Sequence, residues 1–242
     1  MANDIAPHYP GKDLEAMSFA VNYHRWILDE CAPYLGGTIA EVGAGAGSVS
    51  RLLLGRGVQH VFAFEPSPDM FALLQQELHG EERATAVNDF FDANESRGGF
   101  DSVVYINVME HIEDDRAEMA TALAALKPGG YLVIFVPALA WLYSRLDKEI
   151  GHFRRYTKRG LVDAVTATGF TVVKARYFDV AGILPWYVNF VLLGNGFSSG
   201  SVSLYDNLVV PVMRRVESVV TPPIGKNVLL VAQKPATPLP PA

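Results

Sequence analysis

From about residue 38 onward, the chain alternates between two hydrophobic rhythms. The runs TIAEV, HVFAF, ATAVNDFF, FDSVVYINVM and GYLVIFVPA are short, β-branched and aromatic, as strands are. Between them, SVSRLLLGRG, PDMFALLQQELHG and DRAEMATALAALKPGG repeat their apolar residues at helical spacing. Gly80 closes the second of these helices, and Pro128 with its glycines stops the third. Upstream, DLEAMSFAVNYHRWILDECAPYL reads as a helix ending before Gly36 and Gly37. Downstream come a helix at TKRGLVDAVTATG with Thr157 as its N-cap, a strand at FTVVKARYF and an apolar helical region at about 180–220. A last strand, NVLLVAQK, is expected at a sheet edge or as an insertion.

Strands alternating with helices require right-handed crossovers, so the pattern predicts an α/β, Rossmann-like doubly wound sheet. The sheet is mostly parallel, with helices on both faces. The expected organisation is a single domain over residues 1–234 and a flexible proline-rich tail over 235–242. Within it, 1–37 forms a helical cap, and 138–225 carries a substrate-side loop and an apolar lid or interface.

Composition narrows the partners. The chain has 242 residues and a net charge of −6 with no basic block, which argues against nucleic acid. Cys31 is the only cysteine, so an internal disulfide is ruled out and a cytoplasmic location is expected. The N-terminal residues lack the pattern of a signal peptide. The apolar stretch GILPWYVNFVLLG is too short to span a bilayer and contains Pro185 and Asn189. Plain core packing, a lid over the site, and a peripheral membrane or dimer contact through 180–220 are the readings that remain open.

The chemistry is concentrated after the strands. EVGAGAGS, between the first strand and its helix, spaces Gly43, Gly45 and Gly47 as G-x-G-x-G. Bare backbone at this turn suggests a ligand in close approach at the carboxyl end of the sheet. Glu41, just before it, would repel a phosphate and suits a ligand bearing positive charge, such as an ammonium or a sulfonium. No G-x-x-x-x-G-K-[ST] motif is present. Glu65, at the end of the second strand, is placed to accept from the two hydroxyls of a ribose. Its plainer reading is a helix-entry carboxylate before Pro66 and Pro68. Asp89 and Phe90, after the third strand, suit an exocyclic amine and the face of a base.

Together, EVGAGAGS, FAFEPS, NDFF, FDSVVYINVMEHIEDD and LKPGGYLVIFVP resemble, in order and spacing, the motifs of class I S-adenosylmethionine-dependent methyltransferases. The resemblance implies a seven-stranded sheet whose last strand is antiparallel, and S-adenosylmethionine as the cofactor. It implies Glu41, Gly43, Ala44, Gly45 and Gly47 around the methionine portion, and Glu65, with Pro66 and Met70 nearby, at the ribose. It further implies Asp89 and Phe90 at the adenine, and Asn107 and Val108 beside the transferred methyl. Tyr23 is the candidate to close over the methionine carboxylate, with a core or lid role as the alternative. The GHFRRYT segment looks like a mark of one subgroup.

Methyl transfer needs alignment and exclusion of water, and a hydroxyl acceptor needs a base as well. The candidates are His111, His152 and Tyr156. Some O-methyltransferases of ubiquinone biosynthesis hold a divalent metal through an acid three residues before a similar Glu-His pair. Asn107 stands at that position here, so no metal is expected. Arg154 and Arg155 suit an acidic group on the acceptor, and Trp186 and Tyr187 suit its apolar part. The plainer reading of the arginine cluster is structural. The expected reaction is methyl transfer to a small, amphiphilic or lipid-like acceptor. The alternatives are a fold of this kind that binds the cofactor without transferring methyl or catalyses another step, and an NAD-dependent oxidoreductase.

Overall fold

The computed structural model describes residues 20–92, 99–194 and 199–236. Seven strands form one sheet: β1 (Thr38–Val42), β2 (His60–Phe64), β3 (Ala84–Val87), β4 (Phe100–Ile106), β5 (Leu126–Pro137), β6 (Thr171–Phe178) and β7 (Asn227–Gln233). Their spatial order is β3-β2-β1-β4-β5-β7-β6. The pairs among β1 to β5 are parallel, and β7 runs antiparallel to both β5 and β6. The last strand is therefore an insertion, and β6 is the edge. Strand order reverses between β1 and β4, which is where such sheets open a crevice for ligands.

The inner strands are apolar on both faces because each face is covered. One core packs Trp26, Ile27 and Leu28 of the helix Val21–Cys31 against Ile39, Val104 and Phe135. The other packs Met119 and Ala122 of the helix Asp115–Ala125 against Val103, Tyr105 and Leu132. Thr157 does cap its helix: its hydroxyl accepts from the Gly160 amide at 3.0 Å. The third strand is shorter than its sequence pattern, ending at Val87, so Asp89 and Phe90 fall in the loop beyond it. The first helix is described from Val21 to Cys31 only; the rest of the predicted cap, residues 1–19, and the tail end, 237–242, lie outside the described residues.

The apolar region is a set of short helices. Ile183–Trp186 continues as a π-helix over Tyr187–Leu192, and Ser199–Leu204 passes through a π-helix at Tyr205–Val209 into Val210–Val219. Among the described residues, no helix is long and apolar enough to cross a membrane.

Candidate functional site

The carboxyl ends of β1, β4 and β5 open into a cavity of about 720 Å³. Its walls bring together Tyr23, Glu41, Gly43, Ala44, Gly45 and Asn107 from the expected cofactor set. The same cavity takes in His111, His152, Arg155 and Trp186 from the expected acceptor set. Three non-glycine residues just past strand ends on this side have positive φ: Asn107 (55°), Leu139 (64°) and Asp179 (60°). Such conformations persist where surrounding structure imposes them, and they gather at sites.

The glycine loop looks different in three dimensions. Gly43, Gly45 and Gly47 all have positive φ, at 69°, 54° and 87°. A Cβ on Gly43 would come within 2.6 Å of the Val108 side chain, and one on Gly47 within 3.0 Å of Leu74. At these two positions glycine is demanded by backbone conformation and by neighbouring side chains. Val108 and Leu74 thus crowd the loop at Gly43 and Gly47 whatever else approaches it. The amides of Gly43 and Ala44 both donate to the Phe64 carbonyl, tying the loop to β2. The Gly45 amide donates to Glu65 Oε2 at 2.8 Å and the Ser67 amide to Oε1 at 2.9 Å. Burial raises the Glu65 pKa, and these two amides oppose the rise. Glu65 thus braces the loop from behind.

Glu41 is buried on the cavity wall, and the Ser50 hydroxyl donates to it at 2.5 Å. Burial pushes its pKa up to about 8; the Ser50 bond lowers it and the nearby Glu65 raises it. A carboxyl in this state lacks a cationic partner. Tyr23 is both core and wall. Its ring meets Trp26, Phe135 and Phe178 edge-on, and its hydroxyl lies 3.1 Å from Asp179 Oδ2 and 3.0 Å from Asn227 Oδ1.

At the opposite end, the loop after β5 builds a buried ionic cluster. Ser144 and Asp147 form a capping box on the short helix Arg145–Glu149. Asp147 Oδ1 lies 2.8 Å from His152 Nδ1, and Arg155 binds both carboxylate oxygens through Nε at 2.9 Å and Nη2 at 3.0 Å. Burial alone would raise the Asp147 pKa; His152, Arg155 and Ser144 outweigh it and hold the value low. With Nδ1 engaged, His152 turns Nε2 toward Glu110, 3.9 Å from Oε1. The His111 ring meets His152 edge-on at 4.6 Å, and its pKa is lowered to about 4 by burial, with His152 adding to the effect. One ligand atom each from Glu110, His111 and His152 lie within 4.8 Å of one another, a spacing that one cation would span. Only one of the three is a carboxylate.

Other expected site residues sit elsewhere. Tyr156 donates its hydroxyl to Asp115 at 2.8 Å and the Met109 carbonyl at 3.1 Å, and does not line the cavity. Burial pushes its phenol well above the ordinary range. Arg154 pairs with Asp115 at 2.9 Å, outside the cavity wall. Arg155 is on the wall, but its charge is matched by Asp147 and its guanidinium stacks 4.5 Å from the Trp186 ring. Tyr187 packs on Trp141, and Asp89 and Phe90 are exposed. Gly47, Glu65, Pro66, Met70 and Val108 stand behind or beside the wall.

Sequence reasoning missed a second polar group. Asn227 begins β7 with Lys226 just before it, and because that strand is antiparallel its start lies beside the end of β5, with Asn227 opposite Pro137. Lys226 Nζ is 3.2 Å from Asp179 Oδ2 and 5.1 Å from the Tyr23 ring centre. A signal existed in Gly225: a Cβ there would meet the Phe178 backbone at 2.5 Å.

Comparison with known proteins agrees with this geometry. A family model described as "Methyltransferase domain" matches residues 23–175. A curated relative from Xanthomonas oryzae, a ubiquinone biosynthesis O-methyltransferase, is 32% identical over 199 residues, covering 73% of this chain and 78% of its own. A relative of the same name from Xylella fastidiosa is 29% identical over 136 residues; the match spans 53% of this chain and only 52% of the relative. Among solved structures, a Haemonchus contortus phosphoethanolamine N-methyltransferase 2 in complex with S-adenosylhomocysteine superposes with a TM-score of 0.62 at 18% identity, covering 95% of this chain and 58% of that one. At that identity the likeness is one of fold.

Proposed function

The chain belongs to this methyltransferase family, and from that premise we propose that it methylates a hydroxyl group on an amphiphilic, lipid-like small molecule. S-adenosylmethionine is the methyl donor. Held by the wall at Glu41, Gly43 and Gly45, that donor would supply an electrophilic methyl and a neutral thioether leaving group, so that forming a C–O bond to the acceptor would break the C–S bond with its electron pair going to sulfur. His152 Nε2 takes the hydroxyl proton. Asp147 keeps the other ring nitrogen protonated and stabilises the imidazolium, while Arg155 holds Asp147 in place.

The observation that carries this reading is His152, held through Nδ1 by the buried Asp147, on the wall of the same cavity as the glycine loop. The apolar walls at Ile150, Pro185, Trp186 and Phe190 favour a greasy acceptor body beside that base. The expected outcome for His152→Ala is a fall in kcat of about 10²–10⁴-fold with unchanged affinity for S-adenosylhomocysteine. A metal chelator is expected to leave wild-type turnover unchanged. Normal turnover by His152→Ala, or activity lost to chelation and restored by magnesium, overturns the role of His152 as base. An acceptor panel in which only small polar molecules react overturns the amphiphilic acceptor.

A further inference from the structure

The helices over the cavity have two faces with different surroundings. Inwardly, Pro185, Trp186 and Phe190 of the first, and Val202, Tyr205 and Asp206 of the second, line the cavity. Outwardly, Leu184, Val188 and Leu192 recur every fourth residue on the first, and Leu204, Leu208, Val212 and Val216 do so on the second. Six of these, all but Val188, are 48–68% exposed. Stripes this long are unusual on a surface that only water meets. Val219 and Val220 extend the second stripe and are also exposed.

Charge distinguishes the possible occupants. Among the described residues from 180 to 224, the charged side chains that reach solvent are Arg214 and Arg215; Asp206 and Glu217 are buried. Arg214 shares its charge with Asp29 at 2.8 Å, which leaves Arg215 as the cation facing outward. The whole chain is at −6, so this arm departs from the rest of the surface in sign as well as in polarity. Pairing the stripe with a second copy of itself would set Arg215 against arginine, since the acid beside this face, Asp29, is already matched by Arg214 and Arg56. An apolar helix face whose unmatched charge is Arg215 suits a bilayer surface carrying anionic headgroups.

We propose that the helical arm over residues 183–220 docks on an anionic lipid surface, inserting its two leucine–valine stripes at the headgroup boundary. The docking surface is read from the outer faces and the acceptor from the inner ones, so either reading can fail without the other.

The test is co-sedimentation of the full chain with vesicles of phosphatidylcholine, alone or with about one third phosphatidylglycerol. Wild-type protein is expected to pellet with the anionic vesicles and to be released by high salt. Leu208→Glu combined with Val212→Glu is expected to reduce the bound fraction by at least about tenfold. Because both side chains face solvent, melting temperature and S-adenosylhomocysteine binding should match wild type. Arg215→Glu is expected to weaken pelleting with the anionic vesicles only. Failure to pellet with either vesicle, equal binding to both, or unchanged binding by the double variant overturns the proposal. So does a concentration-dependent dimer that the double variant splits, which would assign the face to a second copy.

Discussion

Two buried carboxylates serve one cavity, Glu41 on its wall and Asp147 behind the lining residues His152 and Arg155, and their surroundings differ. Asp147 receives Ser144, His152 and Arg155, and its pKa is held below the ordinary carboxylate value despite burial. Glu41 receives the Ser50 hydroxyl, and burial carries its pKa up to about 8. The Asp147 end has its countercharge built in, so it is a finished framework that orients His152. The Glu41 end lacks a countercharge, and a cationic ligand would supply one. The difference separates a carboxylate whose charge is matched within the fold from one whose charge burial opposes.

Removing the carboxylate at the finished end should have the largest effect. Asp147→Ala strands Arg155 without its partner in the interior, and breaking such a pair costs about 3–5 kcal/mol. Urea denaturation should show a loss of that order; a loss under about 1 kcal/mol would mean that the cluster is not the framework described. Acid should act here too. A depressed carboxylate stabilises the fold above its unfolded pKa, and that stability is lost as pH falls through the lower folded value.

Next in size is the loop between the two ends. Gly43→Ala forces a side chain into positive φ and against Val108, with an expected loss of about 1–3 kcal/mol in thermal or urea unfolding of the ligand-free protein. Adding Val108→Ala should recover the part due to contact and leave the part due to φ. If ligand-free Gly43→Ala is as stable as the parent and only cofactor binding suffers, then a ligand, and not Val108, explains the glycine.

The smallest effect sharpens the comparison most. Glu41→Gln should weaken cofactor binding about tenfold, close to 1.4 kcal/mol, by calorimetry at pH 8 or above. In wild type, a cation favours the ionised carboxylate, so affinity should rise with pH through about 8, with proton release on binding. Stability of the ligand-free protein has the opposite sign. The raised pKa stabilises the fold fully below the unfolded value, and this contribution is lost as pH rises through about 8. Glu41→Gln should therefore melt higher than wild type above that pH. Flat affinity between pH 6 and 9 would remove Glu41 from the cation site.

Much of the sheet half from β1 to β4 was legible because its signals are local. A glycine-rich turn, an acid at the next strand end and a strand–helix period need only neighbours in sequence to be recognised. The reasons behind them were less legible. Gly43 and Gly47 answer to Val108 and Leu74, partners that periodicity does not name. In GHFRRYT, sequence marked Arg154, Arg155 and Tyr156 as alike in promise. Folding turned Arg155 to Asp147, and Arg154 and Tyr156 to Asp115.

By itself, the sequence determined the order of elements, the doubly wound architecture and the crossover at which strand order reverses, since backbone periodicity and the handedness of crossovers follow from local geometry. Tertiary structure alone decided that the antiparallel β7 expected from the resemblance lies between β5 and β6 and brings Lys226 and Asn227 to the cavity, that Tyr23 reaches Asp179, and that His152 and Glu41 line one cavity. These groups are far apart along the chain and meet only when the sheet closes its core. Burial then sets their charge states, because removing water makes each carboxylate depend on the donors that surround it.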